Sequence, residues 1–190
     1  MSKVALSGSA LGTGTFTIAS PNGNTDRTIN LPDSNGTILT TATPGVPVNG
    51  PAFSAYLGTT QNLSTSVTTK LQINTELFDT ANCFDTSTYR FTPSVAGYYQ
   101  FSASMLCTAG AVSGGYTIIL YKNGSQIAIG INTPFTSSNN PSSNVSVLLY
   151  MNGSTDYVEA YGTQNSGSTK DVYQGAPYTF LTGFLARSAT

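Results

Sequence analysis

The sequence predicts an all-β protein, a jelly-roll sandwich preceded by a short extended β segment. Three observations carry the prediction. Short runs alternate apolar and polar residues, turn signals separate them, and no stretch of useful length has helical apolar spacing. The clearest run is Tyr99, Phe101, Ala103, Met105 and Cys107, with Gln100, Ser102 and Ser104 between them. Side chains on a strand point to opposite faces in turn, so this run buries one face of a sheet. Pro93 and Gly97 mark the turn that feeds it.

Residues 1–48 form a separate compositional unit, and residues 49–190 form the head. The first unit holds one aromatic residue, Phe16, and recurrent turn residues such as Gly12, Gly14, Pro21 and Pro32. Strand-like pieces lie at residues 15–19, 28–31 and 37–40, with Asn22-Gly23 and Asn35-Gly36 as tight-turn signals. Its apolar residues are too few for an independent core. The segment reads either as a flexible tail or as an attachment fibre wound with copies of itself. Pro44 and Pro47 then mark a short stiff hinge.

In the head, strands are expected at residues 51–57, 69–74, 98–107, 115–122, 126–131, 144–151, 156–162 and 179–186. Asn123-Gly124 joins the fourth to the fifth as a hairpin, and Asn152-Gly153 turns the sixth back into the seventh. Long polar loops are expected at 133–143 and 163–178. Several strands are apolar on both faces: Ile118, Ile119 and Leu120; Leu148 and Leu149; Phe180, Leu181, Phe184 and Leu185. A strand apolar on both faces needs cover on both. A neighbouring subunit is one source of the second cover.

The chain has 190 residues and 8% charged residues, against roughly a quarter in typical soluble proteins. Ser, Thr and Asn together supply 67 residues, so neutral polar groups keep the surface wet. Net charge is −1, and four Lys and three Arg are scattered. A nucleic-acid surface needs a concentrated positive stripe, so that function is set aside. No apolar run approaches the ~20 residues of a membrane helix. The opening MSKVALSGSALG has no sustained apolar core and does not read as a secretory signal.

The two cysteines are no disulfide framework; Cys107 reads as a buried thiol, and Cys83 lies in a loop. Histidine is absent, which removes the commonest general base and metal ligand. Asp79 and Asp85 are expected to make turn or cap hydrogen bonds rather than an acid/base pair. Asp156 and Glu159 flank a strand and are expected to be solvated. The chain does not read as an enzyme. Exposed tyrosine beside Asn and Ser suits glycan or protein recognition, having an apolar plane and hydrogen-bonding edges. The candidate receptor-binding residues are Asn139, Asn140, Gln164, Asn165, Tyr173 and Gln174, in the two long loops.

Ordered motifs along the head resemble the globular head of complement C1q, a jelly roll shared with the tumour-necrosis-factor family. PAFSAYL at 51–57 resembles the opening strand. Glu76–Asp79 and Asn82–Asp85 resemble the loops that follow, with Phe84 where Tyr is usual. Thr88, Phe91, Pro93, Gly97, Tyr99 and Phe101 fit the core signature, Leu120–Gly124 a hairpin, and Thr182–Leu185 the last strand. The cysteine common after the Phe-Thr of that signature is absent: Pro93 follows Phe91-Thr92 directly. A collagen Gly-X-Y stalk is also absent from this sequence. In its place stands GTGTFTIASPNGNTDRTINLPDSNGTILTT at 12–41. Its Gly-Thr-rich strand, Ser-Pro-Asn turn, Asp-Arg-Thr strand, Leu-Pro-Asp and Gly-Thr-Ile-Leu-Thr resemble a segment recurrent in bacteriophage tail and fibre proteins.

The resemblance implies a homotrimer packed around a threefold axis, with Phe53, Tyr56, Phe180 and Phe184 as candidate interface residues. Calcium near the axis is a candidate cofactor, since some family members bind it, but no ligand set is assignable. The two resemblances together imply a phage virion protein, a trimeric fibre or spike. Its first segment would join other virion proteins, and its head would attach to a host-surface glycan or envelope protein. A capsid decoration protein without a receptor is the alternative. A polysaccharide depolymerase fits less well, since the chain is short and carries no β-helix repeat.

Overall fold

The computed structural model describes residues 50–108, 114–131 and 140–189. The 1–48 segment, the boundary after it, and Asn139 lie outside the described residues, as does most of the 133–143 loop.

Every regular element among the described residues is a strand. In chain order they are β1 (Ala52–Tyr56), β2 (Gln61–Leu63), β3 (Thr69–Lys70), β4 (Thr75–Asp79), β5 (Phe84–Asp85), β6 (Arg90–Phe91) and β7 (Gly97–Leu106). There follow β8 (Tyr116–Lys122), β9 (Ser125–Ile129), β10 (Ser142–Met151), β11 (Val158–Gln164), β12 (Lys170–Val172) and β13 (Phe180–Ser188). One sheet has the order β10-β7-β13-β1-β4. The other runs β5-β6-β11-β8-β9, with β3 added beside β11, and β2 pairs with β12 alone. All pairs are antiparallel. This is the expected jelly-roll sandwich.

The long strand β7 shows how the alternating sequence becomes a core. Tyr99, Phe101, Ala103, Met105 and Cys107 all point inward and are buried. They meet Ile118, Leu120, Val158 and Ala160 from the second sheet in one apolar cluster. Its centre is aromatic: Phe53 stacks on Phe84 and Phe91, and Phe91 meets Phe101 edge-on. Gly183 leaves the space these rings use, because a Cβ there would stand 2.7 Å from the Phe101 ring.

Three expectations change. The Asn123-Gly124 hairpin forms as read, with both residues at positive φ (52° and 77°). The Asn152-Gly153 turn does not return β10 on itself. It carries the chain across the sandwich, since β10 pairs with β7 and β11 pairs with β8. The Asn152 Oδ1 accepts from the backbone N–H groups of Ser154, Thr155 and Asp156, which holds the crossing loop. The expected strand 69–74 is regular only over Thr69–Lys70, although Leu71 and Ile73 are buried. Finally, β12 forms inside the stretch read as a loop, pairing with β2.

Candidate functional site

The outer face of the five-stranded sheet follows from register. β1 and β13 pair Ala52 with Phe184, Ser54 with Thr182, and Tyr56 with Phe180. β7 sets Gln100 beside Phe184, and β10 sets Leu148 beside Gln100. Phe78 on β4 lies opposite Ser54. Phe184 is 51% exposed, Leu148 56% and Phe78 49%, while Tyr56 and Phe180 are half-buried. Hydroxyls run between these apolar groups. Gln100 Nε2 donates to Ser146 Oγ at 2.7 Å, and Thr182 Oγ1 donates to the Phe53 carbonyl at 2.8 Å.

Of the four predicted interface residues, Tyr56, Phe180 and Phe184 therefore share one solvent-facing surface. Phe53 does not join them, which corrects the sequence reading. It is fully buried between Phe84, Phe91 and Phe101. The reason is parity: Phe53 is one residue from Ala52 and Ser54, so it points to the opposite face.

A second apolar surface lies on β9, at the edge of the other sheet. Ile129 pairs with Ile119 and is 59% exposed, and Ile131 just beyond is 78% exposed. Ile127 stands in the irregular step between the pairs of Leu120 and Tyr121, also exposed.

The predicted receptor residues divide. Asn140 Nδ2 donates to Tyr173 Oη at 3.1 Å, and Gln174 Oε1 accepts from the Thr60 N–H at 2.9 Å. The rings of Tyr173 and Tyr178 lie 6.1 Å apart. Asn165 is exposed, and its backbone N–H donates to the Gly115 carbonyl. Gln164 is a correction. It is buried, donates to the carbonyls of Leu63 and Ser168, and accepts from Ser166. With every polar position matched internally, it fastens a loop and has nothing left for a receptor.

Four acidic residues make hydrogen bonds or ion pairs within the fold. Asp79 accepts from the N–H groups of Ala81 and Phe84. The Asp85 carboxylate is held well below its usual range by hydrogen bonds from the Ser87 hydroxyl first and then Thr88. Asp156 and Glu159 are buried, not solvated as the sequence suggested. Asp156 pairs with Lys122 at 2.8 Å, and Glu159 takes both Lys70 and Arg90, the latter at 2.6 Å, with Tyr161 Oη on its other oxygen. Burial opposes the charge of Glu159, yet the hydrogen bonds from Lys70 and Arg90 outweigh it and lower the pKa. Arg90 also lies over the Tyr157 ring at 4.2 Å.

A polar cavity of about 670 Å³ adjoins this cluster, lined by Glu76, Asn82, Asp85, Thr88, Arg90 and Thr92. Its groups can hydrogen-bond a hydroxylated ligand. Among the described residues no three His, Cys, Asp or Glu side chains are grouped to hold a metal ion. Both cysteines are free thiols, and burial pushes Cys107 up to about 12.

Residues 52–186 match the sequence profile of the C1q domain. The chain belongs to the C1q domain family. The fold of this C1q domain is also that of solved structures of low identity. The globular domain of zebrafish complement 1qA aligns with a TM-score of 0.52 at 16% identity, covering 74% of this chain and all of that one (100%). The Eiger TNF of S. frugiperda aligns at 0.54 and 10% identity, covering 74% and 96%. The PRD1 vertex protein P5 aligns at 0.52 and 14% identity, covering 71% and 96%. Comparison with curated protein sequences finds no match. Among the described residues no helix is long and apolar enough to cross a membrane.

The sequence reading missed two surface features of this C1q domain. The isoleucines of β9 were legible as a strand, yet their exposure depends on β9 being an edge. Tyr98, Tyr150 and Arg187 come together only through pairing of strands distant in sequence.

Proposed function

We propose that this C1q domain is the head of a homotrimeric phage virion protein, a fibre or spike whose residues 1–48 attach it to the particle. The observation that carries the trimer is the pair of separate apolar surfaces on one subunit. The Tyr56–Phe180–Phe184 face and the Ile127–Ile131 edge lie on different sheets. An edge of one copy set against the face of the next is a heterologous contact, which forms a ring where the rotation between copies closes and an open filament where it does not. C1q and TNF-like domains form homotrimers, which supports the same arrangement. They are in general ligand-binding modules rather than enzymes, which supports a non-catalytic role.

The virion assignment draws on the phage-like pattern of residues 12–41 and on the fold shared with the PRD1 vertex protein P5. In this reading the head projects and contacts a host-surface glycan or envelope protein, using Asn139, Asn140, Asn165, Tyr173 and Gln174. Three equal sites on one axis act together by avidity where the receptor presents matched groups. A capsid decoration protein without a receptor is the second reading, favoured by the vertex location named for P5.

The deciding experiment measures solution mass by light scattering, for the full chain and for a chain starting at Pro51, with and without chelator. A trimer for both locates assembly in the head. A monomer for both sinks the trimer and the avidity mechanism. Binding of the labelled trimer to host cells separates attachment from decoration.

A further inference from the structure

At one end of the five-stranded sheet, three residues stand in a row across three strands. Tyr150 on β10 is directly opposite Tyr98 on β7, and Tyr98 is opposite Arg187 on β13. The last pairing exists because the β7–β13 register shifts between Leu185 and Arg187. Regular alternation would pair Ala186 with Tyr98 and send Arg187 to the core. The extra residue turns Arg187 to the outer face instead, a use of irregularity that recurs where a side chain must be re-aimed.

The row encloses a cavity of about 260 Å³, lined by Tyr98, Tyr150, Arg187, Ser188 and Ala189. The two tyrosine rings meet edge-to-face at 5.6 Å and remain 47% and 44% exposed. Among the described residues no carboxylate pairs with Arg187, in contrast to Lys70, Arg90 and Lys122. Ser188 Oγ is buried and has no hydrogen-bond partner. Its register partner is Gly97, one step past the Tyr98–Arg187 pair, so it points away from the outer row. The site lies at the pole where the described chain enters at Gly50 and leaves at Ala189, so it opens at the rim of the sheet face.

We propose that this cavity binds an acidic monosaccharide unit, a hexuronate, of a surface glycan. The guanidinium fork matches a carboxylate in two parallel hydrogen bonds. The tyrosine faces stack on the C–H face of a pyranose ring. The volume lies just below that of drug-sized sites, roughly 300–1,000 Å³, and suits one sugar unit. The proposal names the ligand class for host attachment and rests on that reading only for the source of the sugar.

The test titrates the full chain with methyl β-D-glucuronide by calorimetry and saturation-transfer NMR. Methyl β-D-glucoside supplies the ring without the charge, and acetate the charge without the ring. Glucuronide is expected to bind at least tenfold tighter than either. R187Q and Y150A are each expected to weaken it at least tenfold while keeping the melting temperature and mass of the parent. Equal binding of glucuronide and acetate means an adventitious ion only, and overturns the site. So does unchanged binding in R187Q. A loss of oligomer mass in R187Q, with no glucuronide binding by the parent, gives the cavity to a carboxylate of a neighbouring copy and also overturns it. Glucuronide binding without host-cell binding retires the attachment reading and leaves the sugar site standing; cell binding without glucuronide binding does the reverse.

Discussion

Phe53 lies flat on Phe91, ring centroids 4.4 Å apart and planes 13° from parallel. Phe53 comes from the first strand of one sheet and Phe91 from a short strand of the other, so this contact joins the two layers. Replacing Phe53 by Ala would leave a cavity in rigid aromatic surroundings. The expected loss is about 3–5 kcal/mol, read as a lower urea midpoint at unchanged slope.

Phe184 is the contrasting case, pointing out of the same sheet with 51% exposure. Phe184→Glu is expected to leave the fold of the single subunit intact, within about 0.5 kcal/mol, as surface substitutions usually do. The mass by light scattering is expected to fall to that of a monomer. Retention of the parent mass would exclude this face from the interface.

The Glu159 cluster sets the acid response. The folded pKa of Glu159 lies below its ordinary 4.5, and that of Asp156 below 3.8. A lowered folded pKa gives stability that is full above the unfolded value and lost as pH falls through the folded one. Urea midpoints are therefore expected to be flat from pH 7 to about 5 and to fall below about pH 4. Glu159→Gln leaves Lys70 and Arg90 without their anion. The cost is expected at about 2–3 kcal/mol, below the roughly 3–5 of a fully buried pair, because both cations reach solvent. The variant should also show a shallower fall below pH 4.

Gly183 and Gly153 test packing and backbone separately. Gly183→Ala pushes a methyl against Phe101 and Phe53, at 2.7 and 3.0 Å before relaxation. Overpacking of this kind costs about 1–3 kcal/mol. Gly153 has φ +73°, and a Cβ there would lie 2.3 Å from the Ala96 backbone nitrogen. Gly153→Ala is expected to cost more, since backbone cannot move aside as a side chain can. Thermal melts of the two variants side by side check the order.

Cys107 is expected to resist alkylation in the native state. It is fully buried, and burial raises its pKa to about 12, so the reactive thiolate is scarce at neutral pH. Mass spectrometry after iodoacetamide at pH 8 should show Cys107 modified only once the chain is unfolded.

The sequence by itself determined the long strands, the inward face of β7 and the family. Period-two alternation is local: Tyr99, Phe101, Ala103, Met105 and Cys107 declare one face whatever surrounds them. The family motifs are likewise patterns along the chain. What the tertiary structure alone decided is which face meets what. Phe53 and Phe184 are equally apolar in sequence, yet register and parity bury one and expose the other. Gln164 and Glu159 look like solvent residues until strands far away in sequence bring Leu63, Lys70 and Arg90 to them. Arg187 reaches the outer face only through an irregular step in its pairing with β7. These outcomes depend on contacts between distant segments, and no local pattern encodes the partner's position.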